Sequence, residues 1–380
     1  MRQNQIECID NIKHVDLEFL KNQANEQRYK KNPAREVTFV LDSNPNYTNL
    51  CNADCTFCSF YRKEKHDDVY TKNVDEVMKH VEKAANAGLS TVLLQGGLHP
   101  SLPLSYYVEL VQRTRAQYPT ITPHFFSAPE IHNIASANGI TIHDVLSALY
   151  DAGQCTLPGG GAEILAEKVR KKISRKKMTS QDWLDVHRTA HKIGYRSTAT
   201  MMYGHVETAE DIVEHLTAIR DLQDETGGFT AFIPWSYKPE GNALGKRLKK
   251  RWAGPHSYYR ILSTARIYLD NFDHVQASWF SEGKEVGVNA LSYGADDFGG
   301  LIMEENVHKA TSWINTTTVT GILQMIRKAG FTPVERNPLY KKLQSFENTQ
   351  FVSLDSWQKT QSIEELSSGY DAVTKDNYWG

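Results

Sequence analysis

The sequence predicts a single α/β domain folded as a (β/α)8 barrel of the TIM type. Short β-rich segments ending in Gly, Ser or Pro alternate with amphipathic segments of helical period. Eight such strands fit into about 300 residues, which suits one barrel rather than two domains. The expected strand ends are rich in Gly, polar and aromatic residues, as is the C-terminal face of a parallel barrel, where chemistry gathers.

In chain order, strands are expected at 37–41, 91–95, 122–126, 155–157, 197–202, 229–234, 275–280 and 298–302. Helices are expected between them at 74–87, 106–117, 143–152, 181–193, 209–223, 257–271 and 318–329. In the first of these, Val74, Val77, Val81 and Ala84 make one apolar stripe. Gly88, Gly194 and Gly330 each follow a helix, where a left-handed residue ends the turn. Residues 1–35 read as a helical lead-in, 36–340 as the barrel, and 341–380 as a polar, weakly periodic extension draped on the surface or partly disordered. No internal repeat is visible.

Composition suits an ordinary soluble enzyme: 40% hydrophobic, 23% charged, net charge −2. No apolar run approaches the roughly 18 residues of a membrane span. The start, Met-Arg-Gln-Asn-Gln-Ile-Glu-Cys, lacks the apolar core of a secretory signal. Five cysteines in 380 residues is a sparse, odd count that suits a reducing compartment, so a cytoplasmic enzyme is expected. The near-neutral balance gives no drive toward nucleic acid. Two local basic runs, 168–177 and 246–251, read as solvated faces more readily than as docking patches.

The most specific motif is Cys51-x-x-x-Cys55-x-x-Cys58, with Phe57 directly before the last cysteine and Tyr61 just beyond. A 4Fe-4S cluster normally takes four cysteines. Three leave one iron free to chelate the amino and carboxyl groups of S-adenosylmethionine, an arrangement that makes radicals. A structural zinc site wants four closed ligands, usually in two pairs. Here the fourth would have to be Cys155, Cys8 or His66, and none stands in a second pair.

Other candidates fall at strand ends. Gln95, Gly96 and Gly97 follow the second strand, Ser127 the third, and Glu163 a triple glycine after the fourth. The glycines let backbone approach a ligand, and Glu163 is placed to accept ribose hydroxyls or else to start a helix. Met202 ends the fifth strand. Trp235, Gln276, Ser278 and Trp279 close the sixth and seventh and suit a pocket for a flat ring, while His99, after the second strand, is a further substrate-binding candidate and, like His132, a possible acid/base group. His205, Glu304 and Asp296 are acid/base candidates.

Several of these segments carry a resemblance. Asn46–Cys51 through Arg62, Gln95-Gly-Gly-Leu-His-Pro100, Pro158-Gly-Gly-Gly-Ala-Glu163, Thr198–Thr208 and Gln223–Trp235 resemble the radical SAM enzymes that build menaquinone from futalosine and make the deazaflavin coenzyme. Within that group, Gly228–Trp235 and Gln276-Ala-Ser-Trp279 are similar to the cyclic dehypoxanthine futalosine synthases. Arg175, where the group commonly has Pro, and Gln154-Cys155 depart from the pattern without touching the cysteine motif.

The resemblance implies a 4Fe-4S cluster held by Cys51, Cys55 and Cys58, reduced by a low-potential donor such as flavodoxin or ferredoxin. It implies S-adenosylmethionine bound by Phe57, Tyr61, Gln95, Gly96, Gly97, Ser127, Glu163 and Met202. The 5'-deoxyadenosyl radical would take a hydrogen from C4' of the substrate ribose, and the sugar radical would add to the benzoate ring. Such chemistry asks for a dry cavity, a grip on a carboxylate and a base for the ring proton. The sister reactions of the group remain open, as does a non-catalytic iron-sulfur or zinc protein.

Overall fold

A computed structural model describes residues 2–249, 252–307, 309–311, 313 and 315–347. The strands are β1 (Glu36–Val40), β2 (Asp42–Ser43), β3 (Thr91–Leu94), β4 (Thr122–Phe125), β5 (Thr156–Leu157), β6 (Arg196–Tyr203), β7 (Phe229–Ser236), β8 (His274–Val275), β9 (Asp297–Gly300), β10 (Thr332–Arg336) and β11 (Lys342–Ser345). β1 and β2 form one run, broken at Leu41, that stands where the first strand is expected.

Pairing is parallel around the ring. β2 lies beside β3 with Asp42 opposite Thr91, and β3 beside β4. β5, β6, β7 and β8 follow in order. A single bridge, Gln276 to Asp297, carries β8 to β9, and β9 returns to β1. Between β4 and β5 the link is by side chains: Gln154 Nε2 donates to the carbonyls of Phe125 and Thr156. The result is the eight-stranded barrel that the alternation of segments implies.

Helices begin where short polar side chains cap them. Asn73, Thr141, Thr179 and Thr208 each accept from the N–H three residues on, and the acid there returns the bond. Gly194 takes φ 124° as a C-cap, and Gly88 and Gly330 take positive φ just past theirs. The lead-in forms two helices, Gln5–Lys13 and Leu17–Lys31. Buried Arg28 ties the second to the carbonyls of Ala295 and Glu36.

Four features differ from the sequence reading. The seventh strand ends at Val275, and Trp279–Glu282 is a short helix. Helices Ala128–Asn138, Glu167–Ile173 and Lys284–Ala290 are additional. β10 pairs in parallel with β1 outside the ring, Glu36 opposite Thr332. β11 then runs antiparallel to β10, so the extension after 340 begins as a strand. Pro333 and the polar Lys-Leu-Gln-Ser of β11 hide this hairpin from a periodicity reading. The tail beyond 347 lies outside the described residues.

Arg336 of β10 reaches the ring nonetheless. Its guanidinium donates to both oxygens of Asp297, at 2.6 and 2.9 Å, and Thr38 of β1 donates to the same carboxylate at 2.6 Å. The pair is buried and bidentate, the geometry in which the mutual attraction best offsets desolvation.

Candidate active site

The cysteine loop leaves β2 and is held by its own backbone. Lys63 Nζ donates to the carbonyls of Cys51, Asn52 and Ala53 at 2.7 to 3.0 Å. Gly97 N–H donates to Thr48 O and Asn52 N–H to Leu98 O, both at 2.8 Å. A Cβ on Gly97 would lie 2.2 Å from Leu50 O, and one on Gly96 would lie 2.7 Å from the Tyr47 ring. The paired glycines therefore let one loop press on the other, which no spacing argument reveals.

Cys51, Cys55 and Cys58 line one cavity of about 430 Å³ at the barrel mouth and lumen, while Cys8 and Cys155 lie outside it. Burial pushes the Cys55 thiol up to about 12, with nearby Lys177 opposing and the other two cysteines adding to the rise. Burial also raises Cys58, opposed by the N–H groups of Tyr61 and Phe60. Buried thiols so close in charge become thiolates together only when a cationic group arrives among them. Among the described residues no three His, Cys, Asp or Glu side chains group around a single ion position. A cluster, by contrast, spreads its thiolates over several irons.

Glu163 lines the same cavity. One oxygen takes Lys177 Nζ at 2.6 Å, and the other is buried without a hydrogen-bond partner. Its φ of 44° is one that a non-glycine residue holds at a cost of order 1 kcal/mol. The next helix starts at Glu167, so Glu163 is no helix-start acid. The triple glycine before it meets Thr198 O, the Gln95 amide and Pro129, each within 2.6 Å of an added Cβ. It is close packing, not mobility, that these glycines serve. Phe57, Tyr61, Gln95, Ser127 and Met202 also line the cavity. Ser127 is further occupied in capping Ala128–Asn138 with Glu130.

Trp235, Gln276, Ser278 and Trp279 also border the cavity. Trp279 is 1% exposed, stacks on Phe298 and donates its indole N–H to Gly300 O at 3.1 Å. Ser278 Oγ donates to Pro234 O. These two build the wall, whereas Trp235 is half-buried.

Three of the lining residues that escaped the sequence reading carry ionisable groups that bear on the chemistry. Asp42 opens β2, accepts from Ile302 N–H at 2.7 Å, and is pushed up to about 6 by burial. Lys238 lies two residues past β7 and is pushed down to about 8 by burial, with Glu282 opposing. Its Nζ bonds Ser236 Oγ and sits 4.8 and 4.4 Å from the Trp252 and Trp313 ring centres. Glu305 is the third.

The acid/base candidates and His99 stand elsewhere. His205 Nδ1 accepts from Val206 N–H, and Nε2–H donates to Met202 O, so it locks a turn. Asp296 is buried against Arg266, His274 and Asn32 at the opposite end of β9. Glu304 pairs with His80 and Lys83, whose hydrogen bonds outweigh burial and hold it near 2. His99 caps a turn through Ser101 and Leu102 N–H. None of the four lines the cavity.

Residues 45–219 match the radical SAM superfamily, and 226–349 match the CofH/MqnC C-terminal region. The chain is 37% identical over 332 residues to a cyclic dehypoxanthine futalosine synthase of Halalkalibacterium halodurans, covering 87% of this chain and 89% of that one. The chain belongs to the radical SAM superfamily. An aminodeoxyfutalosine synthase of Thermus thermophilus is 38% identical over 88% of this chain and 91% of its own. Among solved radical SAM folds, methylornithine synthase superposes with a TM-score of 0.69 at 16% identity, covering 88% of this chain and 94% of that one. In this radical SAM enzyme no helix among the described residues is long and apolar enough to cross a membrane.

Proposed function

We propose that the chain is a cyclic dehypoxanthine futalosine synthase acting in the cytoplasm. One observation carries the reading: a single cavity is lined by the three cysteines, by Glu163 with its one unpartnered oxygen, and by the wall around Trp235, Gln276 and Lys238. The similarity to the Halalkalibacterium enzyme and the Gln276-Ala-Ser-Trp279 element support that member of the group.

In this reading Cys51, Cys55 and Cys58 hold a 4Fe-4S cluster and leave one iron for S-adenosylmethionine, with a flavodoxin or ferredoxin as electron source. When bound, the cluster supplies one electron and the cofactor the radical carbon that removes a hydrogen from the substrate. Glu163 accepts from the cofactor ribose hydroxyls, and Gln95, Gly96, Gly97, Ser127 and Met202 shape the rest of that pocket, between Phe57 and Tyr61.

Trp235 and Gln276 face the flat benzoate end of the substrate. Lys238, charged at neutral pH and buried, grips its carboxylate, as a desolvated cation does more strongly than one in water. Asp42 replaces His205, Glu304 and Asp296 as acceptor of the ring proton, since it alone of the four lines the cavity. Anaerobic turnover with dehypoxanthine futalosine, scored by product mass, tests the assignment. Product formation only from the substrate of a sister enzyme would replace it. Iron and sulfide analysis of the reconstituted protein separates it from a zinc-stabilised barrel.

A further inference from the structure

The two basic runs, far apart in sequence, meet at one residue. Thr56 stands between Cys55 and Cys58. Its N–H and hydroxyl both donate to Ile173 O, at 2.8 and 3.0 Å, in the first run. Its carbonyl accepts from Leu244 N–H at 2.8 Å, in the helix Ala243–Leu248 that enters the second. The cysteine loop is thus clamped between two cationic segments.

Lys172, Arg175, Lys176, Lys246, Arg247 and Lys249 are exposed on these segments. Asp54, on the cysteine loop itself, takes Lys176 at 2.6 Å. Among the described residues Lys172, Arg175, Lys246 and Arg247 have no ion-pair partner. A chain of net charge −2 has therefore gathered unneutralised positive charge on both sides of one loop. A solvated face needs no such convergence.

We propose that this face docks a small acidic one-electron carrier protein, which delivers its electron through the cysteine loop. The inference rests on the cluster assignment above. The carrier loses one electron, the cluster gains it, and no proton or atom moves. Complementary charge steers such an encounter and sets its orientation, and salt weakens it.

The test uses reconstituted enzyme and a purified flavodoxin hydroquinone, with dithionite as a small reductant that needs no docking face. The variant carries Lys172→Glu, Arg175→Glu and Lys246→Glu. Its flavodoxin affinity and flavodoxin-driven kcat/KM should fall about tenfold or more, and wild-type affinity should fall with added salt. Iron content, dithionite-driven turnover and substrate KM should stay at wild-type values. Unchanged flavodoxin binding in the variant overturns the proposal. So does loss of iron with both activities, which assigns the runs a structural role, or a raised substrate KM, which assigns them to substrate steering. The binding measurement needs no turnover, whereas failure of wild-type turnover with dithionite counts against the proposed reaction alone.

Discussion

Glu163 and Lys177 form a buried ion pair in which only one carboxylate oxygen is used. Lys177 Nζ lies 2.6 Å from Oε1, while Oε2 is buried and unpartnered in a residue that lines the cavity. An orphaned carboxylate oxygen carries a desolvation cost that a ligand hydroxyl would remove. The positive φ of Glu163 points the same way, since strain of this kind gathers at ligand clamps.

Glu163→Gln should therefore weaken S-adenosylmethionine binding by about 1.5 to 3 kcal/mol, one charge-assisted hydrogen bond. Its amide oxygen still accepts from Lys177, so the thermal midpoint should move less than for Glu163→Ala, which strands a buried cation. Calorimetric titration of the reconstituted enzyme reads the first quantity. Unchanged affinity would return Glu163 to a purely structural pairing with Lys177.

The cysteines divide three against two. Ala in place of Cys51, Cys55 or Cys58 should abolish cluster loading and 5'-deoxyadenosine formation. Ala at Cys155 should leave both intact, and at buried Cys8 should cost stability only. Iron and sulfide content of each variant decides it, and full loading of Cys55→Ala would sink the assignment.

Trp235 and Trp279 looked alike in sequence and should now behave differently. Trp279→Ala removes a stacked, hydrogen-bonded core side chain and should cost about 3 to 5 kcal/mol of stability. Trp235→Ala should lose much less stability and stop product formation while slow uncoupled cleavage of the cofactor continues. If Trp235→Ala instead loses cofactor binding, the two sides of the cavity have been assigned the wrong way round.

The barrel was legible because period and punctuation repeat along the chain, and the cysteine motif because its spacing is rare. Side-chain direction was not. Glu304 and Glu305 are neighbours, yet Glu304 pairs outward with His80 and Lys83 while Glu305 lines the cavity. Asp296 and Asp297 likewise go to Arg266 and Arg336. The second of those partners arrives on β10, a strand that Pro333 concealed. Asp42 could have been found by the rule used elsewhere, as the polar residue at the end of the first strand. His205 closes a turn through Met202 O and Val206 N–H and does not line the cavity, and in sequence a histidine beside a strand end looks the same whether its ring faces a ligand or closes a turn.

The role given to Asp42 predicts a pH limb with a definite sign. Burial raises its carboxyl to about 6, with the Ile302 N–H and Arg336 opposing and Asp297 adding to the rise. Below that pH the carboxyl is protonated and cannot accept the ring proton, so single-turnover product formation should fall about tenfold per unit of acidification. Unfolding through this group would run the other way. A folded carboxyl raised above its ordinary value of about 3.8 stabilises the fold at low pH, and that stability is lost as pH rises from about 4 to 6. Loss of rate without loss of folded protein below 6 is thus the expected pairing. Asp42→Asn keeps the acceptor for Ile302 N–H and removes the titration. It should lower the rate on the order of 10² to 10⁴ and flatten the limb. It should also raise the thermal midpoint at neutral pH, where the wild type carries a buried charge. An acid limb that persists unchanged in Asp42→Asn would place the base elsewhere in the cavity, with Glu305 the next residue to replace.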